Sequence, residues 1–289
     1  MRNILLFVAA LMLSSLAAHA QTLETLSVSK EKDGFYAATV GKYRVEGNVE
    51  NGQKVGNWYE IYPEKQVIHR MIQFEKDVKN GACLEFEEGG CLLKKEEYLN
   101  DKRNGTSYTW AKGGKLMAKN TYKNDVLDGE QIKCYEQGTH QEIAFYKEGE
   151  RDGMTTWFDQ TGNKVMSIEY KAGQFEGEQK TYYKDGTLKS VKHYKNNVQE
   201  GNACEYYESG ALKSECEYKN GEVKGKVKSY QDKPVEVKKN AKEGSKDAKM
   251  EAKESKEKVN LKDSKLEEIE KEDLKKKVEI KKDDTKKKP

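Results

Sequence analysis

The sequence predicts an all-β protein: an elongated, single-layer array of 24-residue β-hairpin repeats, followed by a disordered or partly helical charged tail. Three observations support this prediction. Glycines recur every 24 residues through most of the chain, an aromatic residue stands seven positions before each of the later ones, and 36 of the last 59 residues are charged. A fixed period of this length is typical of repeat arrays.

Residues 1–20 are predicted to be a signal peptide. Arg2 precedes an apolar run, and Ala18-His19-Ala20 provides a cleavage site of the A-x-A type. The apolar run is too short to span a bilayer, and no later stretch is long and apolar enough to do so. We therefore expect an exported protein, periplasmic or extracellular in a Gram-negative bacterium, whose mature chain starts near Gln21 and has no transmembrane segment.

The rest of the chain divides into three parts. We expect a degenerate N-terminal β cap over residues 21–55, about seven and a half hairpin repeats over 56–230, and a Lys/Glu-rich low-complexity tail over 231–289. The tail has 20 Lys, 16 acidic residues and no aromatic residue, so it cannot build a core of its own. Ser264 and Glu267 resemble a helix capping box, which favours some helix in the tail.

Each repeat consists of two short predicted strands joined by turns. The periodic glycines, which we interpret as structural turn glycines, are Gly81, Gly105, Gly129, Gly153, Gly177, Gly201 and Gly225. A polar-polar-Gly loop such as Lys184-Asp185-Gly186 predicts a glycine in the left-handed conformation. Four residues before each periodic glycine stands Gly, Asn or Asp, the residues that tolerate a positive φ most readily. Turn chemistry therefore specifies both ends of each hairpin.

Strand parity predicts which side chains share a face of the sheet. With three-residue loops, we expect Tyr206, Leu212 and Tyr218 on one face, where they form the apolar layer of the sheet. The opposite face carries further rings among polar residues, and aromatic residues are enriched at interfaces. We interpret four of these rings as the candidate interface with a partner: Tyr135, Phe158, Tyr183 and Tyr207.

The pattern G-x(4)-Y-Y-x-x-G-x-L-x(5)-Y-x(6)-G resembles the bacterial variant of the MORN repeat, and residues 177–201 and 201–225 match it best. Proteins of this kind are often described as antitoxin-like components of toxin–antitoxin systems. The resemblance implies a single-layer sheet of β-hairpin repeats with a scaffold or binding role, and it carries no catalytic residues. The predicted export signal disfavours a cytoplasmic antitoxin.

The sequence contains no recognisable catalytic or metal-ligand motif. It has no G-x-S-x-G, H-E-x-x-H or P-loop pattern. His69, His140 and His193 fall in different repeats at different repeat positions, which disfavours a shared metal site. We therefore expect no enzyme activity, no catalytic residue, no cofactor and no metal. The formal net charge of +3 argues against a specific nucleic-acid binder.

The five cysteines leave an odd thiol in any disulfide scheme. From the parity above, Cys204 is expected opposite Ser214, one diagonal step from Cys216. Diagonal neighbours are usually too far apart for an unstrained disulfide, although an exported compartment would permit one.

The preferred interpretation is an exported, non-enzymatic scaffold that binds a protein partner of unknown identity. The alternative is a cell-envelope binder of glycans or anionic polymers, which would use the aromatic sheet face and the Lys-rich tail. Binding through the tail would weaken steeply with ionic strength, whereas protein binding through the aromatic face would not. An enzyme of unrecognised type is disfavoured because no catalytic constellation is present.

Overall fold

A computed structural model describes residues 22–232, and in this part of the chain all regular structure is β-strand. The strands form one antiparallel sheet. The all-β array of hairpins is therefore confirmed for these residues. The predicted signal peptide and nearly all of the predicted tail lie outside the described residues. Between Thr22 and Asp232 there is no helix of the length and apolarity that a membrane crossing requires.

The strands are numbered in chain order. They are β1 (Gly34–Val40), β2 (Tyr43–Glu50), β3 (Gln53–Tyr62), β4 (Val67–Glu75), β5 (Val78–Phe86), β6 (Leu92–Leu99), β7 (Lys102–Arg103), β8 (Gly105–Trp110), β9 (Leu116–Lys123), β10 (Val126–Cys134), β11 (His140–Lys147), β12 (Glu150–Arg151), β13 (Gly153–Phe158), β14 (Lys164–Lys171), β15 (Gln174–Tyr182), β16 (Leu188–Lys195), β17 (Val198–Gln199), β18 (Gly201–Tyr206), β19 (Leu212–Lys219) and β20 (Glu222–Ser229). The two-residue strands β7, β12 and β17 each continue into the next strand after one residue, because β6, β11 and β16 pair with both pieces. The sheet is thus a meander of sequence neighbours.

At one end of the strands, successive strands are joined by two-residue turns in which both residues have a positive φ, between 46° and 88°. This is the geometry of type I′ hairpin turns, and it confirms the prediction made from the Gly, Asn and Asp positions. The turn pairs are Asn51-Gly52, Lys76-Asp77, Asn100-Asp101, Asn124-Asp125, Glu148-Gly149, Ala172-Gly173, Asn196-Asn197 and Asn220-Gly221.

These turns also join one repeat to the next. The Asp101 N–H donates to the carbonyl of Lys79 over 3.0 Å, and the Asp101 Oδ1 accepts from the Lys79 N–H over 2.8 Å. Where the second turn residue is glycine, the first of these bonds remains, as from the Gly149 N–H to the Leu127 carbonyl over 2.8 Å. Each turn from Lys76-Asp77 onward is therefore hydrogen-bonded to the previous repeat.

At the other end of the strands, the connections are the longer loops. In the loop after β15, the Gly186 N–H donates to the Tyr183 carbonyl over 2.9 Å and Gly186 has a φ of 87°. A side chain at this φ would be strained, so the predicted left-handed glycine is confirmed.

The periodic glycines themselves lie in strands rather than in turns. Around Gly177, which has a φ of 92°, Ile168 pairs with Gln179 but Tyr170 pairs with Phe175. Two residues along β14 therefore match four along β15, which is a β-bulge. Corresponding register shifts occur at all seven glycines that we interpreted as turn glycines.

A second register shift, next to the longer loops, makes the predicted face assignment wrong. Gly201 pairs with Tyr218. Tyr206 pairs with Leu212, which leaves Lys213 as an extra residue. Gly201 and Tyr206 are five residues apart in one strand, so these positions point to opposite faces. Tyr206 and Leu212 therefore lie on the face opposite Tyr218.

We call the face that carries the Tyr218 ring the ladder face, because the equivalent ring of each repeat lies on it. These rings are Phe74, Tyr98, Tyr122, Tyr146, Tyr170, Tyr194 and Tyr218. The buried apolar core lies at the N-terminal end of the same face. Its members are Leu23, Leu26, Val28, Val40, Val45, Val49, Trp58, Ile72, Phe74 and Cys83, with Tyr36 and Tyr98 packed against them.

Candidate functional site

The ring residues of the ladder face alternate with a second periodic set, the residues two positions before each periodic glycine. Each ring pairs across the sheet with such a residue of the next repeat, as Tyr98 does with Arg103 and Tyr170 with Phe175. The intervening residues are Lys79, Arg103, Leu127, Arg151, Phe175, Gln199 and Val223. Rings and intervening residues together form one continuous row along the sheet, which we call the ladder.

In the first half of the ladder the intervening residues are mainly cations that stack on rings. Lys79 Nζ lies 4.2 Å from the centre of the Tyr98 ring, and Arg103 Cζ lies 4.0 Å from that of Tyr122. Arg103 Nε also contacts Asp125 Oδ1 over 3.0 Å. A cation over a ring face is attracted by the ring quadrupole, so these contacts hold the side chains flat along the sheet.

Arg151 occupies the middle of the ladder and is fully engaged. Its guanidinium lies 5.4 Å from the centres of both Tyr146 and Tyr170. It donates to Thr155 Oγ1 over 3.1 Å and pairs with the Glu142 carboxylate. An arginine with these partners stabilises the sheet and is not available to a ligand.

The last part of the ladder is uncharged and apolar except for Gln199, and we call it the apolar stripe: Tyr170, Phe175, Tyr194, Gln199, Tyr218 and Val223. The Phe175 ring meets Tyr170 at 5.1 Å and Tyr194 at 5.7 Å, both edge-to-face. Val223 at the end of the stripe is 43% exposed. The stripe presents rings in edge-to-face contact without an intervening charge, as protein-binding surfaces often do.

At the other end of the sheet, the ladder face is covered by the N-terminal segment of the chain. Residues 22–28, which we call the clasp, form a turn in which the Leu26 N–H donates to the Thr22 carbonyl over 2.9 Å. Leu23 and Val28 are almost completely buried against the core that contains Trp58 and Ile72. The ladder face therefore already receives a short segment of chain.

Lys54 is the residue that fixes the clasp. It is only 2% exposed, and its Nζ donates to the carbonyls of Leu23, Glu24 and Leu26 over 3.0, 3.2 and 2.9 Å. The same Nζ lies 4.7 Å from the Phe74 ring centre. Burial lowers the pKa of Lys54, and nearby carboxylates offset part of this effect. Three carbonyl acceptors compensate the ammonium for its loss of water.

Two carboxylates complete the attachment of the clasp. Glu60, which is 4% exposed, accepts the Leu23 N–H over 3.1 Å. Glu24 forms a bidentate ion pair with Arg70. Burial raises the pKa of Glu24, but hydrogen bonds and charge from Arg70 lower it more, so this pKa lies below its ordinary value. Arg70 also approaches Glu60 to 3.7 Å, so one guanidinium holds both carboxylates.

The structure places the four predicted interface residues near the strand ends that the longer loops connect. The hydroxyls of Tyr135, Tyr183 and Tyr207 donate to main-chain carbonyls one repeat further on, over 2.8 to 2.9 Å. Phe158 is not their equivalent, since it pairs with Lys164 as Tyr206 pairs with Leu212, and its carbonyl accepts the Tyr135 hydroxyl. These tyrosines link adjacent repeats, and their role as an interface stays a prediction.

Sequence reasoning missed both the clasp and the intervening residues of the ladder. The intervening residues had a signal, because they recur every 24 residues like the rings that they separate. The clasp had a weaker one: three apolar residues, Leu23, Leu26 and Val28, directly follow the predicted signal peptide without a strand pattern.

All five cysteines are free thiols. Cys204 pairs with Glu215 rather than with Ser214, and Cys216 pairs with Ala203, so Cys204 and Cys216 point to opposite faces. Burial raises the pKa of the Cys83 thiol. Within residues 22–232, no cluster of His, Cys, Asp or Glu has the arrangement of a metal site.

Comparison with known proteins supports the repeat assignment. The family model described as "MORN repeat variant" matches residues 175–196 and 199–220. The two matches are offset by the 24-residue period and cover β15 to β19 almost completely. No curated protein matches the chain. Over these two adjacent repeats, the chain is similar to the MORN repeat variant family.

Proposed function

We propose that this protein is an exported, non-enzymatic scaffold that binds a segment of a partner protein on the apolar stripe. MORN repeats are generally non-catalytic and bind proteins or membranes, which supports a binding role. The signal-peptide pattern of residues 1–20 supports export to the periplasm or the cell exterior of a Gram-negative bacterium.

One observation carries the choice of surface: the clasp occupies the ladder face at the first repeats. There, apolar side chains pack on the core that contains Phe74, and the buried ammonium of Lys54 binds main-chain carbonyls. No described segment crosses the ladder face at the apolar stripe, where the same repeat geometry presents Tyr170, Phe175, Tyr194 and Tyr218. A partner segment would supply there the second layer that the clasp supplies at the N-terminal end.

Two residues of equal exposure allow a test of the surface. Val223 lies on the ladder face and Met154 on the opposite face, and both are 43% exposed. A photo-crosslinking amino acid placed at either position in the native cell should give a discrete protein adduct from position 223 and none from position 154. Equal adducts from both positions, or none from position 223, would contradict the proposed surface.

A substitution already present in the repeat provides a second test. Gln199 occupies in the next repeat the position of Phe175, so Phe175→Gln should be tolerated by the sheet. We expect this variant to lose most of the adduct formed from position 223 and to keep its thermal unfolding midpoint within a few degrees. Leu127→Gln, at the same repeat position outside the stripe, is the matched control and should keep the adduct.

The cell-envelope alternative predicts different behaviour. Binding of glycans or anionic polymers through the Lys-rich tail should weaken steeply between low and physiological salt, because exposed charges are screened. Adduct formation from the apolar stripe should change little over the same range. Export itself is tested by cell fractionation and by N-terminal sequencing, for which we expect a mature chain that starts near Gln21.

A further inference from the structure

The sheet ends in two strands, β1 and β20, that each pair on one side alone. β1 pairs with β2, and β20 pairs with β19. Among residues 22–232, no other hydrogen bond reaches the main chain of β1 or the outer edge of β20. An unpaired strand edge is a template for a further strand, so proteins commonly protect such edges.

The two edges are chemically opposite. β20 has the sequence EVKGKVKS, with four charged residues in eight and a bulge at Gly225, which are the features that block edge-to-edge pairing. β1 has the sequence GFYAATV and carries no charge. Its Phe35 is 68% exposed, more than any other large apolar side chain in the described part of the chain. β1 is therefore an unprotected edge.

We propose that β1 pairs antiparallel with β1 of a second copy of this chain, around a two-fold axis at Ala37. In this register Phe35 lies opposite Thr39 of the second copy, and Tyr36 opposite Ala38. Each large side chain of β1 thus meets a small one, and no like charges face each other within the seven residues of β1. The strand is complementary to itself.

The proposed pairing also closes the assembly. After two β1 edges have joined, the outer edges of the combined sheet are two β20 strands, which their lysines protect from further growth. Pairing of β1 with β20 of another copy would instead be heterologous and would extend into a fibre. A two-fold dimer covers both unprotected β1 edges and leaves only the protected β20 edges exposed.

The dimer should be reversible. Seven paired residues extend over roughly 23 Å. A contact between two strands of this length buries less surface than a standard stable interface does. We therefore expect the monomer and the dimer to exchange with protein concentration, in the micromolar range or above.

Ala37 offers a direct test by sedimentation velocity of the purified full chain. Ala37 is exposed and lies opposite Glu46 on β2. In the Ala37→Lys monomer, the introduced ammonium would therefore face a carboxylate of opposite charge. In the dimer the two introduced lysines face each other, so the dimerisation constant should weaken at least about tenfold. Val227→Lys, on the exposed β20 edge, is the control and should leave the constant unchanged.

Mixing two variants separates loss of pairing from loss of folding. Ala37→Glu alone should also stay monomeric, whereas an equimolar mixture with Ala37→Lys should restore a dimer through the opposite charges. A wild-type chain that remains monomeric at all concentrations would overturn the proposal. So would an unchanged constant for Ala37→Lys, an equal loss for Val227→Lys, or failure of the mixture to dimerise.

Discussion

Replacement of Lys54 by methionine should release the clasp from the sheet. Methionine keeps most of the side-chain volume, but it removes the three hydrogen bonds to the carbonyls of Leu23, Glu24 and Leu26 and the contact with the Phe74 ring. Each bond contributes about 1 kcal/mol net, because an ammonium loses hydration when it is buried. The ring contact adds about 0.5–1 kcal/mol. We therefore expect a loss of about 3–4 kcal/mol of local stability.

The assay is amide hydrogen exchange, with tryptophan fluorescence as a second reporter. Exchange at the Leu26 N–H, which is bonded within the clasp turn, should accelerate by more than a hundredfold. Trp58 is fully buried next to the clasp, so its share of the emission should shift to the red.

Lys79→Met is the matched control, because Lys79 occupies the position of Lys54 in the next repeat. Its Nζ stacks on the Tyr98 ring at 4.2 Å, and no described residue accepts a hydrogen bond from it. This variant should lose less than about 1 kcal/mol. Equal losses for the two variants would refute the reasoning, since the carbonyl bonds would then contribute nothing.

Three further outcomes are expected. Gly47→Ala should destabilise the N-terminal repeats by about 2–3 kcal/mol, because its Cβ would overlap the indole of Trp58; urea unfolding measures this, and a neutral result would contradict the packing. Asp101→Ala should lower stability by about 1 kcal/mol with an unchanged m-value, because the Lys79 N–H loses its acceptor. The pKa of Glu24 lies below its ordinary 4.5, so its ion pair stabilises the clasp above that pH and is lost on further acidification. Glu24→Gln should remove this acid-induced change in clasp exchange, and persistence of the change would assign it to another group.

The hairpins could be predicted from the sequence because their determinants are local. A type I′ turn needs two residues with a positive φ, and the sequence places Gly, Asn or Asp at the second position of every turn from Asp77 to Gly221. The same local turn preference then recurs every 24 residues. Agreement between turn chemistry and spacing is why the fold class was correct.

The assignment of side chains to faces failed at the bulges. Strand parity assumes that every residue is paired, but Lys213 is an extra residue between the pairs of β18 and β19. One extra residue reverses the face of everything on its far side, so Tyr206 and Leu212 were placed on the wrong face. A bulge next to a loop depends on main-chain twist, which residue types do not report.

The clasp could not be predicted because it depends on contacts between distant parts of the chain. Lys54 binds carbonyls 28 to 31 residues earlier, and Arg70 binds Glu24 across 46 residues. A lysine among polar strand residues is ordinarily exposed, so its burial follows from the partner and not from its own neighbours. The candidate site on the apolar stripe is in turn inferred from the clasp.

The distribution of the core along the sheet links stability to function. All members of the buried cluster lie between Leu23 and Cys83, where the clasp adds a second layer, whereas β20 is exposed along its whole length. Beyond the main-chain pairing of their strands, the later repeats are joined by turn hydrogen bonds, tyrosine hydroxyls and cation–ring contacts, which are individually weak. A partner that covers the apolar stripe would bury rings that the chain leaves half-exposed. Binding should therefore stabilise the part of the array that lies outside the buried N-terminal cluster, by the same kind of packing that the clasp provides at the other end.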